Sequence, residues 1–354
     1  MKKIILTGGG SAGHVTPNLA LIPKLVDDGF EIHYIGTVDG IERKLIANVD
    51  GVIYHVVSAG KLRRYFSIKN FTDPFKLIKG ISQAKKIIKD VKPNVIFSKG
   101  GFVSVPVVIA AKKRAPVISH ESDYTPGLAN KIGAKYAQKV CVTFLDTIKF
   151  VGKKAVHTGT PIRKELFMGK RERGLNFLGF SGEKPLLLAM GGSLGAQGLN
   201  AALRSALPEL LKLYDIVHIC GAGKVDEDRK EKGYAQFEYI RQELPDVFAA
   251  ADFALSRAGA NAIFEFLALH KPALLVPLPS ANSRGDQDQN ADYFVKKGYA
   301  MSVKQEELSP EKLLTLLTEL YEKRKFYEGN MEKEPTANGT NRVYNVIMEV
   351  MKQG

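Results

Sequence analysis

The chain has 354 residues, of which 45% are hydrophobic and 25% are charged. This length allows two domains with separate cores, and the composition is ordinary for a globular protein. The two cysteines, Cys141 and Cys220, stand alone in apolar runs, which argues against a disulfide framework or a zinc site. No apolar run approaches the roughly 18 residues of a spanning helix, and Thr7 with the glycines after it follows Leu6 where a signal peptide would stay apolar. We therefore expect a cytosolic protein.

The formal net charge of +14 predicts an anionic partner. The excess is concentrated in residues 58–92, where ten Lys and Arg outnumber two Asp and alternate with aromatic and aliphatic side chains. This mixture suits adsorption to an anionic membrane surface, although a solvated helix face is the ordinary alternative for a charge run. We expect no nucleic-acid partner, because the chain has no helix-turn-helix, RNP-like or zinc-finger signature.

Short β-branched runs alternate with longer amphipathic segments, which is the pattern of a parallel, doubly wound α/β sheet. The first predicted strands are KKIILTGG, EIHYIGT, GVIYHVV, NVIFSKGG, PVISHES and KVCVTF. The pattern starts again at PLLLAMGGSLGAQGLN and continues through DIVHICGAG, FEYI, DFALSRAG and PALLVPLP. We predict two Rossmann-like domains with a seam between residues 161 and 185, where the sequence is charged and weakly periodic. The helix-like segment after Pro335 could pack on either domain.

The first glycine-rich loop, TGGGSAGHVTP, has glycines at positions 8, 10 and 13 that match the G-x-G-x-x-G dinucleotide-binding pattern. That pattern also requires an acidic residue at the end of the second strand, where this chain has Gly36 and Thr37. A nicotinamide site is therefore disfavoured. The loop suits an anion or an acceptor instead, and His14, at the mouth of the next helix, is a candidate general base.

The second glycine-rich loop, residues 191–195, lacks the lysine of a Walker P-loop. Its backbone donors, the Ser193 hydroxyl and the following helix dipole suit a diphosphate, although a plain strand-to-helix turn is the alternative. Further on, SRAGANAIFEFLAL places Glu265 in an apolar helix, where it could accept from ribose hydroxyls or face solvent. The D-x-D matches at residues 226–228 and 286–288 are weak metal signals.

Six motifs in order carry a resemblance to one family: TGGGSAGHVTP, SHESDYTPGLANK, GTPIR, GGSLGAQGLN, SRAGANAIFE and DQDQNADYF. From near residue 4 to the C-terminal helix the chain resembles the bacterial UDP-N-acetylglucosamine–N-acetylmuramyl-(pentapeptide) pyrophosphoryl-undecaprenol N-acetylglucosamine transferases, the MurG family. The resemblance implies a GT-B fold, with two Rossmann-like parallel-sheet domains facing across a cleft. It assigns residues 1–161 and 335–354 to an acceptor- and membrane-associating domain, and residues 162–334 to a domain that binds UDP-N-acetylglucosamine (UDP-GlcNAc).

The resemblance also implies the reaction. N-acetylglucosamine passes with inversion, and without a metal or other cofactor, from UDP-GlcNAc to the muramyl 4-hydroxyl of undecaprenyl-linked lipid I. The product is lipid II, made at the cytoplasmic face of the cell membrane by a peripheral enzyme of peptidoglycan synthesis. Catalysis is assigned to His14 and Asp123. Substrate binding is assigned to Ser11, Ala12, Gly13, Arg163, Ser193, Ile240, Ala260, Asn261, Ala262, Glu265 and Gln287.

Within that set, His14 is the implied base, Ser193 and Arg163 hold the leaving diphosphate, and the Ile240 backbone reads uracil. Glu265 accepts from the ribose, and residues 260–262 with Gln287 line the sugar. Many family members have Asn at the position of Asp123, and a glutamine pair at residues 286–287. Asp123 is therefore expected either to contact the acceptor or to assist His14.

Two other functions fit parts of the pattern. Another GT-B enzyme acting on UDP-sugars, such as a lipid glycosyltransferase or a UDP-GlcNAc epimerase, would share the donor site, and an epimerase would release free sugar without a lipid acceptor. A nucleotide-binding module without turnover would share the glycine-rich loops but would have no use for a base at position 14.

Overall fold

The computed structural model describes residues 1–60, 69–192, 195–279 and 284–353, with the backbone alone for residues 69–72. Part of the basic stretch (residues 61–68) and Ser193 lie outside the described residues. The chain divides into two compact units, Met1–Arg163 with Asn338–Gly354, and Lys164–Ala337. We call them the first and the second domain.

Seven parallel strands form the described sheet of the first domain. They are β1 (Lys2–Thr7), β2 (Phe30–Gly36), β3 (Val52–Val56), β4 (Val95–Ser98), β5 (Val117–Glu121), β6 (Lys139–Val142) and β7 (Ala155–His157). Their order across the sheet is β3-β2-β1-β4-β5-β6-β7. The central strands β1, β4 and β5 are therefore neighbours, and the loops that follow them leave the same edge of the sheet.

The helices of the first domain pack on both faces of this sheet. They are α1 (Thr16–Asp27), α2 (Ile41–Ile46), α3 (Lys69–Val91), α4 (Ser104–Ala111), α5 (Leu128–Tyr136), α6 (Ile148–Val151) and α14 (Thr340–Gln353). Side chains alternate along β1: Ile4 and Leu6 join one apolar cluster with α1 and α14, and Ile5 joins a second with α3 and α4. Burial on both faces explains why the central strands read as continuous apolar runs.

The C-terminal helix α14 belongs to the first domain. Val343, Val346, Ile347 and Val350 recur at helical spacing and are buried in the same cluster as β1. The Thr340 hydroxyl anchors the start of the helix, because the Ile162 N–H donates to it at 3.1 Å and it donates to the Ile162 carbonyl at 3.2 Å.

The described part of the second domain has six parallel strands: β8 (Leu186–Met190), β9 (Asp215–Ile219), β10 (Tyr234–Phe237), β11 (Phe253–Ser256), β12 (Ala273–Leu275) and β13 (Ala300–Ser302). Their order is β10-β9-β8-β11-β12-β13. Its helices are α7 (Arg171–Leu178), α8 (Gln197–Leu213), α9 (Leu244–Ala250), α10 (Ala260–Ala268), α11 (Asp286–Lys296), α12 (Pro310–Glu322) and α13 (Arg324–Met331). The predicted pair of parallel sheets is confirmed.

One predicted strand is misplaced. FEYI, residues 237–240, was expected to be a strand, but β10 ends at Phe237. Its partner β9 ends at Ile219, opposite Phe237, and past this pair the Gly221 N–H still donates to the Glu238 carbonyl at 3.2 Å. Ile240 consequently lies in the loop beyond the strand.

Candidate active site

The predicted residues of the first glycine-rich loop form a single short turn after β1. Ser11 is exposed, and Ala12–His14 make one turn of 3-10 helix whose side chains are half-buried. The His14 N–H donates to the Ser11 carbonyl at 3.1 Å. The imidazole packs against Gly101, where a Cβ would lie only 2.7 Å from His14 Cδ2 and where φ is +76°. A glycine is therefore needed beside His14 for both space and backbone conformation.

A buried glutamate that the sequence analysis missed holds this loop. Glu42, on α2, is fully buried, and its Oε2 accepts from the Gly10 N–H at 3.2 Å. Its Oε1 accepts from the Thr37 N–H at 3.0 Å and from the Thr37 hydroxyl. The dinucleotide-binding pattern expects an acidic residue at the end of β2. Here the carboxylate at this place is that of Glu42 on α2, and both of its oxygens accept hydrogen bonds from the protein itself.

Asp123 lies in the loop between β5 and α5, which a second buried carboxylate organises. Glu121, the last residue of β5, accepts from the Asp123 N–H at 2.9 Å, the Gly127 N–H at 3.1 Å and Asn130 Nδ2 at 2.8 Å. One carboxylate therefore fixes both ends of the segment 123–127. Asp123 itself is half-buried.

The loops that carry His14 and Asp123 share neighbours at one sheet edge. Gly100 and Gly101 follow β4, between β1 and β5. Gly101 contacts His14, while a Cβ on Gly100 would lie 2.0 Å from Oδ1 of Asn130, the residue that binds Glu121. The structure thus brings the two predicted catalytic residues to the same edge of the first domain.

Beneath this edge lies a buried ionic cluster that the sequence analysis also missed. Lys99 is fully buried and its ammonium donates to the Ser122 hydroxyl. Burial lowers the pKa of Lys99 to about 8, although Glu121 and Asp123 act in the opposite direction. Burial and the nearby Asp123 raise the pKa of Glu121 to about 7. Burial and Lys99 hold the pKa of His120 well below its usual range, so this imidazole is neutral and its Nε2 donates to the Gly159 carbonyl at 3.1 Å.

In the second domain, the glycine-rich loop after β8 leads into α8. Ser193 of this loop lies outside the described residues. The first turn of α8 is held by a buried network: Asn200 Nδ2 donates to the Cys220 carbonyl at 3.0 Å, and its Oδ1 lies 3.0 Å from His218 Nε2. The Tyr234 hydroxyl lies 2.8 Å from His218 Nδ1. Because Asn200 Oδ1 can only accept here, the imidazole donates through Nε2 and accepts through Nδ1.

Ile240, predicted to contact the ligand through its main chain, lies in the loop after β10. Its side chain is buried. Within the part of the chain that the structure describes, no hydrogen bond engages its N–H or its carbonyl. Arg163, the other predicted residue near the seam, is the last residue of the continuous segment of the first domain, and its side chain is half-buried.

The remaining predicted substrate-binding residues lie on α10 and at the start of α11. Ala260 and Glu265 are buried on α10, with Asn261 and Ala262 half-buried beside them. Asn290 on α11 donates to the Ala258 carbonyl at 3.1 Å and so ties α11 to the start of α10. Gln287 also lies on α11.

The Gln287 side chain already forms a hydrogen bond within the protein, since its Oε1 accepts from the Leu278 N–H at 3.0 Å. Arg257, which directly follows β11, is another buried residue whose role the sequence did not reveal. Its guanidinium donates to the carbonyls of Val276 at 3.1 Å and Pro277 at 3.0 Å. Arg257 therefore braces the strand ends beneath α10 and α11.

The two D-x-D matches have local partners. Arg229 Nε lies 3.3 Å from an Asp226 oxygen, and Arg284 Nη2 lies 3.3 Å from an Asp286 oxygen. Among the described residues, no group of three or more His, Cys, Asp or Glu side chains is arranged to hold a metal ion.

Two domains, each a parallel doubly wound sheet with glycine-rich or polar loops at the carboxyl ends of its strands, are the architecture of the GT-B class of glycosyltransferases. Residues 4–142 match the glycosyltransferase family 28 N-terminal domain, and residues 186–349 match its C-terminal domain. The chain belongs to glycosyltransferase family 28.

Relatives along the whole chain agree with this assignment. The chain is 57% identical to a Clostridium kluyveri protein (98% of this chain, 99% of the relative) and 56% identical to one from Clostridium tetani (98% and 97%). Both are named UDP-N-acetylglucosamine–N-acetylmuramyl-(pentapeptide) pyrophosphoryl-undecaprenol N-acetylglucosamine transferase. The crystal structure of Acinetobacter baumannii MurG is similar with a TM-score of 0.76 at 25% identity, over 99% of this chain and 100% of that one.

Proposed function

We propose that this chain transfers N-acetylglucosamine from UDP-GlcNAc to the muramyl 4-hydroxyl of undecaprenyl-linked lipid I, giving lipid II for peptidoglycan synthesis. The observation that carries the proposal is 57% identity, across nearly all of both chains, to an enzyme named for this transfer. A UDP-GlcNAc epimerase is the weaker candidate, because the name of the relatives specifies a lipid-linked acceptor.

The reaction is a single displacement at the anomeric carbon. The acceptor 4-hydroxyl oxygen attacks C1 as the bond from C1 to the UDP oxygen breaks, so UDP leaves and the configuration inverts. The hydroxyl proton must go to a base, and we assign that role to His14. Imidazole is the side chain best suited to proton transfer near neutral pH, and this one lies on a tight loop at the carboxyl end of a strand.

The acceptor is assigned to the first domain. Ser11, Ala12 and Gly13 form the turn that presents His14, and we assign them to contact with the acceptor. Asp123 shares the edge with this turn and carries a carboxylate suited to accept from a sugar hydroxyl. Glu42 and Glu121 fix the two loops, which supports a preorganised acceptor site.

UDP-GlcNAc is assigned to the second domain. The Ile240 main chain is suited to pair with uracil, and Glu265 to accept from the ribose hydroxyls. Ala260, Asn261, Ala262 and Gln287 surround the start of α10, whose N-terminal N–H groups suit an electron-rich ligand. We assign Ser193 to the diphosphate, where a hydroxyl donor would stabilise the negative charge that grows as UDP leaves.

We further propose that the enzyme is peripheral at the cytoplasmic face of the cell membrane and binds its anionic surface. In the described part of the chain, no helix has the length and apolar character to span a bilayer. On α3, however, Phe75 is 75% exposed and Ile78 is 65% exposed, one helical turn apart and beside the exposed Lys76 and Lys79. Exposed apolar side chains flanked by lysines suit insertion among anionic headgroups.

The decisive experiment incubates the protein with UDP-GlcNAc and a lipid I analogue, with and without a chelator. The expected product is the lipid-linked disaccharide together with UDP, in amounts unaffected by the chelator. Release of free sugar without the lipid acceptor would instead identify an epimerase. Binding of UDP without either product would identify a module that does not turn over.

A further inference from the structure

We propose that Gln305 is a positioning residue of the second domain, whose side-chain amide ties the first turn of α8 to the ends of β11 and β12. Its effect on the binding of UDP-GlcNAc rests on the proposed function. The contacts of the amide do not, and stability measurements test them separately.

The main chain of Gln305 is fixed by the turn that it begins. Gln305–Glu307 form one turn of 3-10 helix after β13, and the Gln305 carbonyl accepts from the Leu308 N–H at 3.2 Å. Ser309 then caps α12, since its hydroxyl accepts from the Lys312 N–H at 3.1 Å. Buried side chains of α12 and α8 pack in one apolar cluster, among them Leu199, Leu203, Leu313 and Leu317. The turn that carries Gln305 is therefore anchored next to α8.

The amide group of Gln305 lies against Gly198, in the first turn of α8. A Cβ at position 198 would lie 2.6 Å from Gln305 Cδ and Oε1, and 2.8 Å from its Nε2. These distances are too short for a Cβ, so the amide has room here only because residue 198 is glycine. Glycine in a helix is ordinarily less favourable than alanine, and the contact with Gln305 explains its place at this position.

The amide cannot easily move aside, because its oxygen is held by a buried guanidinium. Gln305 Oε1 accepts from Arg257 Nη2. Arg257 is itself fixed, since its Nη1 donates to the carbonyls of Val276 at 3.1 Å and Pro277 at 3.0 Å. Displacing the Gln305 amide would take this acceptor from a donor in a buried site, which is unfavourable.

These contacts converge on parts of the second domain that we assign to UDP-GlcNAc. The N–H of Leu278, next to the two carbonyls that bind Arg257, donates to Gln287 Oε1 at 3.0 Å. On α8, Asn200 binds the Cys220 carbonyl after β9 at 3.0 Å, and Gln305 supplies a second hold from the segment after β13. Loss of the amide would loosen both the start of α8 and the segment that binds Gln287, and a less preorganised site binds its ligand more weakly.

The first test is Gly198→Ala, which places a methyl group where the amide lies. Gly329→Ala on α13 is the matched control, because a Cβ there would meet nothing within 4 Å. The control should raise the melting temperature by about 1–3 °C, as alanine does in a helix. We expect Gly198→Ala to lower it instead. A melting temperature of Gly198→Ala at or above that of the wild type would overturn the proposal.

A double-mutant cycle identifies the side chain that the methyl group displaces. Gln305→Ala removes the amide and so makes room at position 198. In the Gln305→Ala background, Gly198→Ala should therefore leave the melting temperature unchanged or raise it. The same decrease in both backgrounds would show that Gly198 is not coupled to Gln305.

The binding arm tests positioning with Gln305→Met, which keeps the length of the side chain but removes the acceptor for Arg257. At a temperature where the protein is folded, it should raise the Kd for UDP about fivefold or more and leave the KM for the lipid I analogue unchanged. Glu306→Met, at the exposed next position, is the matched control and should change neither quantity.

Unchanged affinity of Gln305→Met for UDP, or an equal increase in the KM for the lipid I analogue, would contradict a positioning role at the UDP-GlcNAc site. If the wild type itself binds no UDP, the proposed function fails, while the melting measurements still decide whether Gln305 holds the start of α8.

Discussion

The Glu42 carboxylate accepts a hydrogen bond from the Gly10 N–H at 3.2 Å and so fixes the loop that carries His14. Its other oxygen binds the N–H and hydroxyl of Thr37. Glu42→Ala would leave these donors unsatisfied in a fully buried site. We expect it to lower the free energy of unfolding by about 2–4 kcal/mol and to reduce kcat/KM for the acceptor, with UDP binding retained.

Glu42→Gln is the matched control in chemical denaturation and kinetics. Its amide oxygen can still accept from Thr37, while its NH₂ group would face the Gly10 N–H. We therefore expect a smaller loss, confined to the glycine-rich loop. Equal stability of the Ala and Gln variants would show that these hydrogen bonds do not support the loop.

The second prediction concerns His14. If its imidazole takes the proton from the acceptor hydroxyl, His14→Ala should lower kcat by roughly 10²–10⁴-fold and leave the affinity for UDP-GlcNAc unchanged. His14→Gln retains a polar side chain but cannot act as a base at neutral pH, so it should lose as much activity as the Ala variant. Steady-state kinetics and calorimetric titration measure the two quantities. Turnover within about threefold of the wild type in either variant would remove His14 from the mechanism.

The sequence predicted the sheets well and the supports of the site poorly. Strands β1 and β8 could be predicted because burial on both faces requires continuous apolar runs, which are Ile4–Leu6 in β1 and Leu186–Met190 in β8. The loops at the strand ends were also found, because glycine and polar residues interrupt those runs. The prediction of a strand at FEYI was wrong because the end of β10 depends on where its partner β9 ends, and not on the residues of FEYI alone.

Glu42 and Lys99 could not be found in the same way. In IERKLI, Glu42 reads as one charge among several on a short helix, and Lys99 reads as a polar residue at the end of a strand. Whether a charged side chain turns inward depends on hydrogen-bond partners supplied by distant segments, here the donor Gly10 for Glu42 and the acceptor Ser122 for Lys99. The sequence signals for these residues were indirect. For Glu42 the signal was the absence of an acid at the end of β2, and for Lys99 it was a lysine placed between a buried strand and two glycines.

The third prediction concerns Glu265, which the structure buries on α10, so the alternative of a solvent-facing acid is wrong. If the carboxylate accepts from ribose hydroxyls, Glu265→Gln should weaken UDP binding about tenfold or more without changing the KM for the acceptor. The exposed Asp292 on α11 offers a control, Asp292→Asn. A comparison of UDP with 2′-deoxy-UDP sharpens the test: the wild type should discriminate between them more strongly than the variant. Equal discrimination would separate Glu265 from the ribose.

The fourth prediction concerns the exposed face of α3. Phe75→Ser with Ile78→Ser should reduce co-sedimentation with phosphatidylglycerol vesicles by tenfold or more, because each inserted side chain is worth about 1.5–3 kcal/mol. Phe326→Ser removes a comparably exposed aromatic side chain, 61% exposed, from the second domain and should have no effect. Wild-type binding should also weaken between low and high salt. Binding that is indifferent to both salt and anionic lipid content would contradict an electrostatic contribution.

The last prediction uses the buried His218, whose hydrogen bonds to Asn200 and Tyr234 hold the start of α8 against β9 and β10. Burial, with Arg204 nearby, lowers the pKa of this imidazole to about 3. Because the unfolded chain takes up the proton near pH 6.5 and the folded chain does not, the stabilising contribution of neutral His218 is present above pH 6.5. It is lost as the pH falls from 6.5 toward 3, by an amount on the order of a few kcal/mol.

Urea titrations between pH 7 and pH 3 test this contribution. His218→Gln should have a lower free energy of unfolding than the wild type at pH 7, but this free energy should fall less steeply on acidification. His270→Asn, at an exposed position with φ of +52° that asparagine tolerates, should retain the wild-type decline. A slope in His218→Gln as steep as that of the wild type would mean that other groups govern the acid sensitivity of this domain.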